Sequence, residues 1–136
     1  MDTRGTLENG RKIVERFLDS KEYYFFALKP SDIPEKPGVY AIFNAEETLY
    51  VGRTKNLRRR LYTNHLMGPL TNVRLKKYIL GDSSLSHITT PKKAKGYLKE
   101  NCYCQFMVCD TTHTERGRLE GLLSFALGVK YLYEEH

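Results

Sequence analysis

The stretch Gly38–Arg60, GVYAIFNAEETLYVGRTKNLRRR, constrains this chain more than any other part of it. Two runs of β-branched and aromatic residues flank a short polar segment, Asn44 to Glu47, that suits a turn. Val39, Ala41 and Phe43 alternate with Tyr40 and Ile42, and Leu49 and Val51 alternate with Tyr50 and Gly52, so each run reads as a strand. Putting the small apolar residues of both strands on one face fixes the pairing register. That register brings Tyr40 and Tyr50 together on the opposite face. By strand physics alone the two tyrosines explain themselves equally well as a pair that stabilises the hairpin.

A helix follows at once, with Thr54 or Asn56 able to cap it. Leu57 and Leu61, four apart, mark its buried seam. Arg59 points furthest from that seam and is expected in solvent, while Arg58 and Arg60 flank it. Periodicity does not choose which of those two is aimed at the tyrosine face. From Arg53 to Lys77 there are eight basic residues, Arg53, Lys55, Arg58, Arg59, Arg60, Arg74, Lys76 and Lys77, and no acidic one. A surface of one sign attracts polyanions, nucleic acid above all; a merely solvated basic face is the alternative. On the first reading Arg53, Lys55, Arg58, Arg59, Arg74, Lys76 and Lys77 contact nucleic acid.

With 136 residues, 40% of them hydrophobic, the chain suits one folded domain with a real core. No apolar run approaches the roughly 18 residues of a membrane span, and MDTRGTLENG lacks the apolar centre of a signal peptide, so a cytoplasmic location away from membranes is expected. Cys102 and Cys104 share one strand face and Cys109 lies on the other, which predicts buried, reduced thiols in place of a disulfide framework or a compact metal site.

Residues 7–28 show an apolar stripe of Ile13, Val14, Phe17 and Leu18 that predicts an N-terminal helical extension over residues 1–30. Its dense Tyr23-Tyr24-Phe25-Phe26 end is expected to pack on the core or on a partner, another copy of the chain included. Pro30, Pro34 and Pro37 predict an extended linker into the main domain, residues 31–136. A second basic helix is expected over 70–80 and another from Pro91, capped by Thr90, with a central strand from Tyr103 to Val108. The last helix starts near Thr112, where Thr112 and Glu115 fit a capping box. Leu119, Leu122, Leu123 and Ala126 form its apolar stripe. Glu115 thus has a structural task, whereas Glu120 sits at the rim of the stripe and needs a metal ion, an arginine or another donor.

Gly38-Val39-Tyr40, ten residues to Tyr50-Val51-Gly52, then Thr54, Asn56-Leu57, Arg60 and a late helical Glu120: this order resembles the GIY-YIG nuclease superfamily from about Lys36 onward. The resemblance implies an α+β fold, a small three-stranded antiparallel sheet flanked by helices, here with an extra N-terminal helix. It matches Tyr40 and Tyr50 to the two motif tyrosines, Arg60 over Arg58 to the motif arginine, and Glu120 to the carboxylate that holds one divalent metal, Mg²⁺ or Mn²⁺. It implies metal-dependent endonuclease activity, on DNA in preference to RNA. In that chemistry the metal polarises the phosphate and leaving group, and Arg60 forks onto the nonbridging oxygens. Arg60 and the metal together would lower the Tyr40 phenol enough for proton transfer, with Tyr50 positioning Tyr40 or the water. The chain departs from the pattern twice. The histidine that some members carry four residues after the arginine is Asn64 here, with His65 one step further round, placed either to reach the site as a catalytic residue or to cap the helix end. No asparagine follows Asn101, where many members have one. These departures leave a second reading open, a nucleic-acid-binding module that keeps the fold with little or no turnover.

Overall fold

The computed structural model describes residues 2–66 and 74–131, apart from the side chains of Leu66 and Arg74. Strands β1 (Tyr23–Tyr24), β2 (Gly38–Phe43), β3 (Thr48–Thr54) and β4 (Tyr103–Val108) form one antiparallel sheet in the order β1-β4-β2-β3. The expected three strands are therefore joined by a fourth, and β4 is internal, as its lack of strong alternation predicts. Helices α1 (Thr3–Leu18), α2 (Arg74–Leu80), α3 (Pro91–Asn101) and α4 (His113–Leu127) flank the sheet. Two cores result. One, around Tyr40, Ile42, Leu57, Leu61, Ile79 and Leu98, lies under α2 and α3; the other, around Phe17, Val39, Ala41 and Leu123, lies under α1 and α4. The fold is α+β, and no helix among the described residues is long and apolar enough to cross a membrane.

The hairpin has the expected register, with Tyr40 opposite Gly52 and Ile42 opposite Tyr50. Leu49 departs from it. A register shift between Ile42 and Phe43 turns Leu49 into the tyrosine-face core, away from Val39 and Ala41. Two glycines are set by close approach. A β-carbon on Gly52 would come within 2.5 Å of Tyr40 Cζ, and one on Gly38 within 2.7 Å of Leu57 Cδ1. The glycines of the two clusters thus let a tyrosine ring lie across one strand and a helix seat against the other.

The N-terminal expectation is corrected. The helix stops at Leu18, where the Gln105 amide of β4 donates to the carbonyls of Leu18 (3.0 Å) and Ser20 (2.7 Å). Tyr23 to Phe26 then alternate in burial, with Phe25 in the core and Tyr24 and Phe26 exposed, and Tyr23–Tyr24 pair with β4. The aromatic cluster is an edge strand and a 3₁₀ turn (Phe25–Ala27), whose period of two was read as helical density. The proline segment contains a 3₁₀ turn, Pro30–Asp32, in place of uninterrupted extended chain. The second basic helix is described from Arg74; the earlier part of the range expected for it lies outside the described residues.

Downstream elements match their start signals. Thr90 caps α3, with Pro91 as its first residue, and Thr112 Oγ1 accepts from the Glu115 amide at the start of α4 (3.1 Å). The expected capping box is only half made: the Glu115 carboxylate pairs with Arg118 in place of the Thr112 backbone amide. Gly128, at φ 60°, ends α4 in the left-handed conformation that glycine adopts without strain. Ala126 is exposed; Leu123 is buried, and Leu119 and Leu127 pack beside it. The cysteines are reduced and buried, Cys102 and Cys104 in one core and Cys109 in the other, and burial raises Cys102 and Cys104 to about 12.

Candidate active site

β2 and β3 deliver Tyr40, Tyr50, Gly52 and Arg53 to one end of the sheet, the helix after β3 delivers Arg60, and α4 delivers Glu120. Together with Val51 these residues line a cleft of about 310 Å³. Asn56 opens the helix, its side chain accepting from the Arg59 amide (3.0 Å), while Thr54 Oγ1 accepts from the Asn56 amide (3.1 Å). Arg58 turns the other way. Its Nε donates to the Ile33 carbonyl (2.8 Å) and its guanidinium faces Glu35, so Arg58 fastens the preceding loop and is not free for nucleic acid.

From Arg59 to Leu66 this helix is a π-helix. Its i→i+5 hydrogen bonding brings the fifth residue onward to about where an α-helix would place the fourth, and such segments concentrate at functional sites. His65, five after Arg60, thereby enters the tyrosine face, whereas Asn64, four after it, lines an adjoining cleft. The His65 Nε2 lies 2.7 Å from the Tyr40 hydroxyl, and its ring stands edge-on to both Tyr40 and Tyr50 at 5.3 and 5.4 Å. The two tyrosine rings are stacked at 6.3 Å. His65 is buried inside the site and does not end the helix as an exposed cap.

Electrostatics sort these groups. Burial, then the charges of Arg60 and Lys76, hold His65 at about 3, so its ring is neutral at neutral pH. Nδ1 is buried with no partner among the described residues; on that geometry the less costly tautomer carries the proton on Nε2, which then donates to the Tyr40 oxygen, because a lone pair is less costly to strand than an N–H. Tyr40 itself lies well above the usual phenol value. Burial is the main cause and Tyr50 and Glu120 add to it, while Arg60 acts in the lowering direction. The expected lowering of Tyr40 is therefore reversed in the protein alone, because desolvation outweighs one arginine. Arg60 Nε is also buried without a hydrogen-bond partner among the described residues, while the residue itself lines the cleft.

Glu120 is half-buried, and burial raises its carboxyl above the usual range; Arg53, through its charge and backbone amide, and His113 oppose that. It is the sole carboxylate among the described residues that line the cleft. No group of three or more acidic, cysteine or histidine side chains that could hold a metal occurs among the described residues. One hard oxygen donor beside an open cleft suits an ion such as Mg²⁺, which keeps several waters and takes further oxygens from a phosphate. Arg53 lies across Gly117 of α4, where a β-carbon would sit 3.2 Å from Arg53 Cζ, and its NH2 is 3.2 Å from His113 Nε2.

The basic residues divide. Lys55, Arg59 and Lys77 are exposed, and Arg53 and Arg59 line clefts. Lys76 departs from the expected solvated face: it is buried, and burial and Lys95 lower its ammonium. The side chain of Arg74 lies outside the described residues. Arg116 goes unread in the sequence, and His113 is weighed there only as a possible partner of the cysteines in a zinc site. His113 lies seven and Arg116 four residues before Glu120, so both are on its side of α4, and that spacing was the available signal.

Residues 36–104 match the GIY-YIG catalytic domain, just over half of the chain. The chain belongs to the GIY-YIG family. It is a nuclease domain of that family's α+β type. The matched stretch carries both tyrosines and Arg60 and ends before Glu120, so the structure, not the match, joins α4 to the site. Similar proteins include the UvrABC system protein C of Bacteroides fragilis, 59% identical over 34 residues (24% of this chain, 6% of that protein), and that of Flavobacterium psychrophilum, 35% identical over 78 residues (54% and 12%). The GIY-YIG chain thus matches only a small part of those relatives' length. The N-terminal endonuclease domain of UvrC from Thermotoga maritima, a point mutant bound to its catalytic divalent cation, aligns over 75% of this chain and 88% of that one, with a TM-score of 0.46 and 22% identity.

A protonated His65 would be a buried, unpaired cation, which gives a pH signature for the fold. The folded value lies below the unfolded one, so the unfolded chain binds the extra proton and stability falls as pH drops from 6.5 toward about 3. The expected slope from this group is about 1.4 kcal/mol per pH unit. Urea midpoints measured against pH should fall less steeply in His65→Gln than in the parent; parallel curves would refute a neutral buried imidazole.

Proposed function

We propose that this GIY-YIG domain is a metal-dependent endonuclease that hydrolyses phosphodiester bonds in DNA. The observation that carries the reading is the convergence in one cleft of a phenol, a guanidinium with an unpartnered buried Nε, and one carboxylate. Arg60 forks onto nonbridging phosphate oxygens and stabilises the charge that develops there. Glu120 holds one divalent ion, Mg²⁺ or Mn²⁺, which supplies Lewis acidity to the phosphate and leaving oxygen. Tyr40 takes the proton of the attacking water. Tyr40 acts in this step as its phenolate: His65 Nε2–H steadies the negative charge on its oxygen until the water's proton neutralises it, and Tyr50, stacked on Tyr40, fixes the ring.

Incubation with supercoiled plasmid tests this. Nicking should require Mg²⁺ or Mn²⁺, stop with chelator, and be lost in Arg60→Ala and Glu120→Ala. Equal nicking by those variants would overturn it. Salt-sensitive binding without nicking by the parent would select the non-catalytic module instead.

A further inference from the structure

The cleft around Glu120 does not end at Arg60. Arg53 and Arg60 are shared walls, and beyond them a second cleft of about 410 Å³ runs between the π-helix and the start of α4. Its lining includes Lys55, Asn56, Arg59, Asn64, His113 and Arg116, with no carboxylate among the described residues. Three separate elements, the end of β3, the π-helix and α4, supply its cations. A concavity lined by one sign of charge focuses its field, and the Arg60 edge without a partner lies at the junction of the two clefts. Lys77, on α2, lines neither cleft, and Arg58 is committed to Ile33. The basic sequence run thus scatters in space, while two residues from α4 join its useful part.

We propose that the cleft walled by Arg53, Lys55, Arg59, Arg60, His113 and Arg116 seats the phosphates that flank the scissile one, on one side of it only. This rests on the nuclease reading of the adjoining cleft. A strand whose scissile phosphate lies at Arg60 and Glu120 leaves past Arg53 and runs between Arg59 and His113. Successive phosphates, one per roughly 3.4 Å of axis on each strand, then meet a cation at each step. Arg53, held on His113 Nε2 without substrate, is placed to turn toward either phosphate. Arg116, buried and donating to the Thr111 carbonyl, fixes the far wall.

The test is the salt dependence of binding by the full chain to a labelled DNA strand and its duplex, with chelator present so that nothing is cut. Lys55 and Arg59 are exposed, so Lys55→Gln/Arg59→Gln is expected to fold as the parent does. Each lost phosphate contact lowers the slope of log K against log salt by about 0.9 for duplex and about 0.7 for single strand. The pair should therefore lower it by about 1.8 for duplex and about 1.4 for single strand, and raise KM in plasmid nicking more than it lowers kcat. Lys92→Gln, on exposed α3, should move neither. An unchanged slope in the double variant, or a comparable loss in Lys77→Gln, would overturn the cleft assignment. Loss of nicking in the parent would instead sink the nuclease reading and leave the binding result standing.

Discussion

Glu120→Gln is expected to reduce metal-dependent nicking by about a thousandfold while leaving the melting temperature unchanged or slightly higher. The first half follows from the donor set: no second carboxylate among the described residues lines the cleft, so an amide in place of the acid removes the charge that would hold the ion. Lewis acid stabilisation of several kcal/mol, at 1.36 kcal/mol per decade, corresponds to about two to three decades in rate. The second half follows from burial, which raises the Glu120 carboxyl above its usual value. A raised acid in the folded state is a carboxylate whose ionised form works against folding at neutral pH, so neutralising it relieves a desolvation cost. Titration calorimetry with Mn²⁺, beside a thermal melt, checks both. A variant that loses activity and melts well below the parent would make Glu120 a structural residue, and one that keeps its Mn²⁺ heat would move the metal elsewhere.

Much of this site could be read locally. Strand alternation placed Tyr40 and Tyr50 on one face, because a period of two leaves no other choice once Val39, Ala41 and Val51 are buried together. The capping signal at Thr112 separated Glu115 from Glu120 for the same reason: a hydroxyl three residues before an amide has one geometry to adopt. What failed depended on distant partners. Tyr23–Tyr24 became a strand only because β4 offered an open edge. Lys76 was read as a surface cation, yet tertiary packing buries it beside the imidazole it influences. Leu49 crossed faces through a bulge that no residue type announces.

His65 shows the same limit more sharply. Counted on an α-helix it falls one step away from the motif position, and both its roles stayed open. The π register absorbs that step, so an apparent departure at Asn64 becomes a change of helix type that keeps the imidazole on Tyr40. The local propensities of RRLYTNHL rank residues for an ordinary α-helix and do not announce a π register.

Tyr40→Phe should consequently do more than remove a hydroxyl. If Tyr40 accepts the water proton, kcat falls by about a hundred- to ten-thousandfold, the usual range for a lost general base. The variant also strands His65 Nε2 in a buried site where Nδ1 already lacks a partner, costing about 1–3 kcal/mol of stability. The pH profile separates chemistry from packing. Tyr40 lies well above the usual phenol value, so only a small fraction is ionised near neutrality and the parent rate should climb steadily with rising pH. The residual rate of Tyr40→Phe should lack that climb. Tyr50→Phe keeps the ring stacked on Tyr40 and should retain the climb, since the hydroxyl bonded to His65 Nε2 is that of Tyr40. A Tyr40→Phe variant whose rate falls less than tenfold and still rises with pH would assign the base elsewhere, and the Tyr40–His65 bond would then be a support for the π-helix alone.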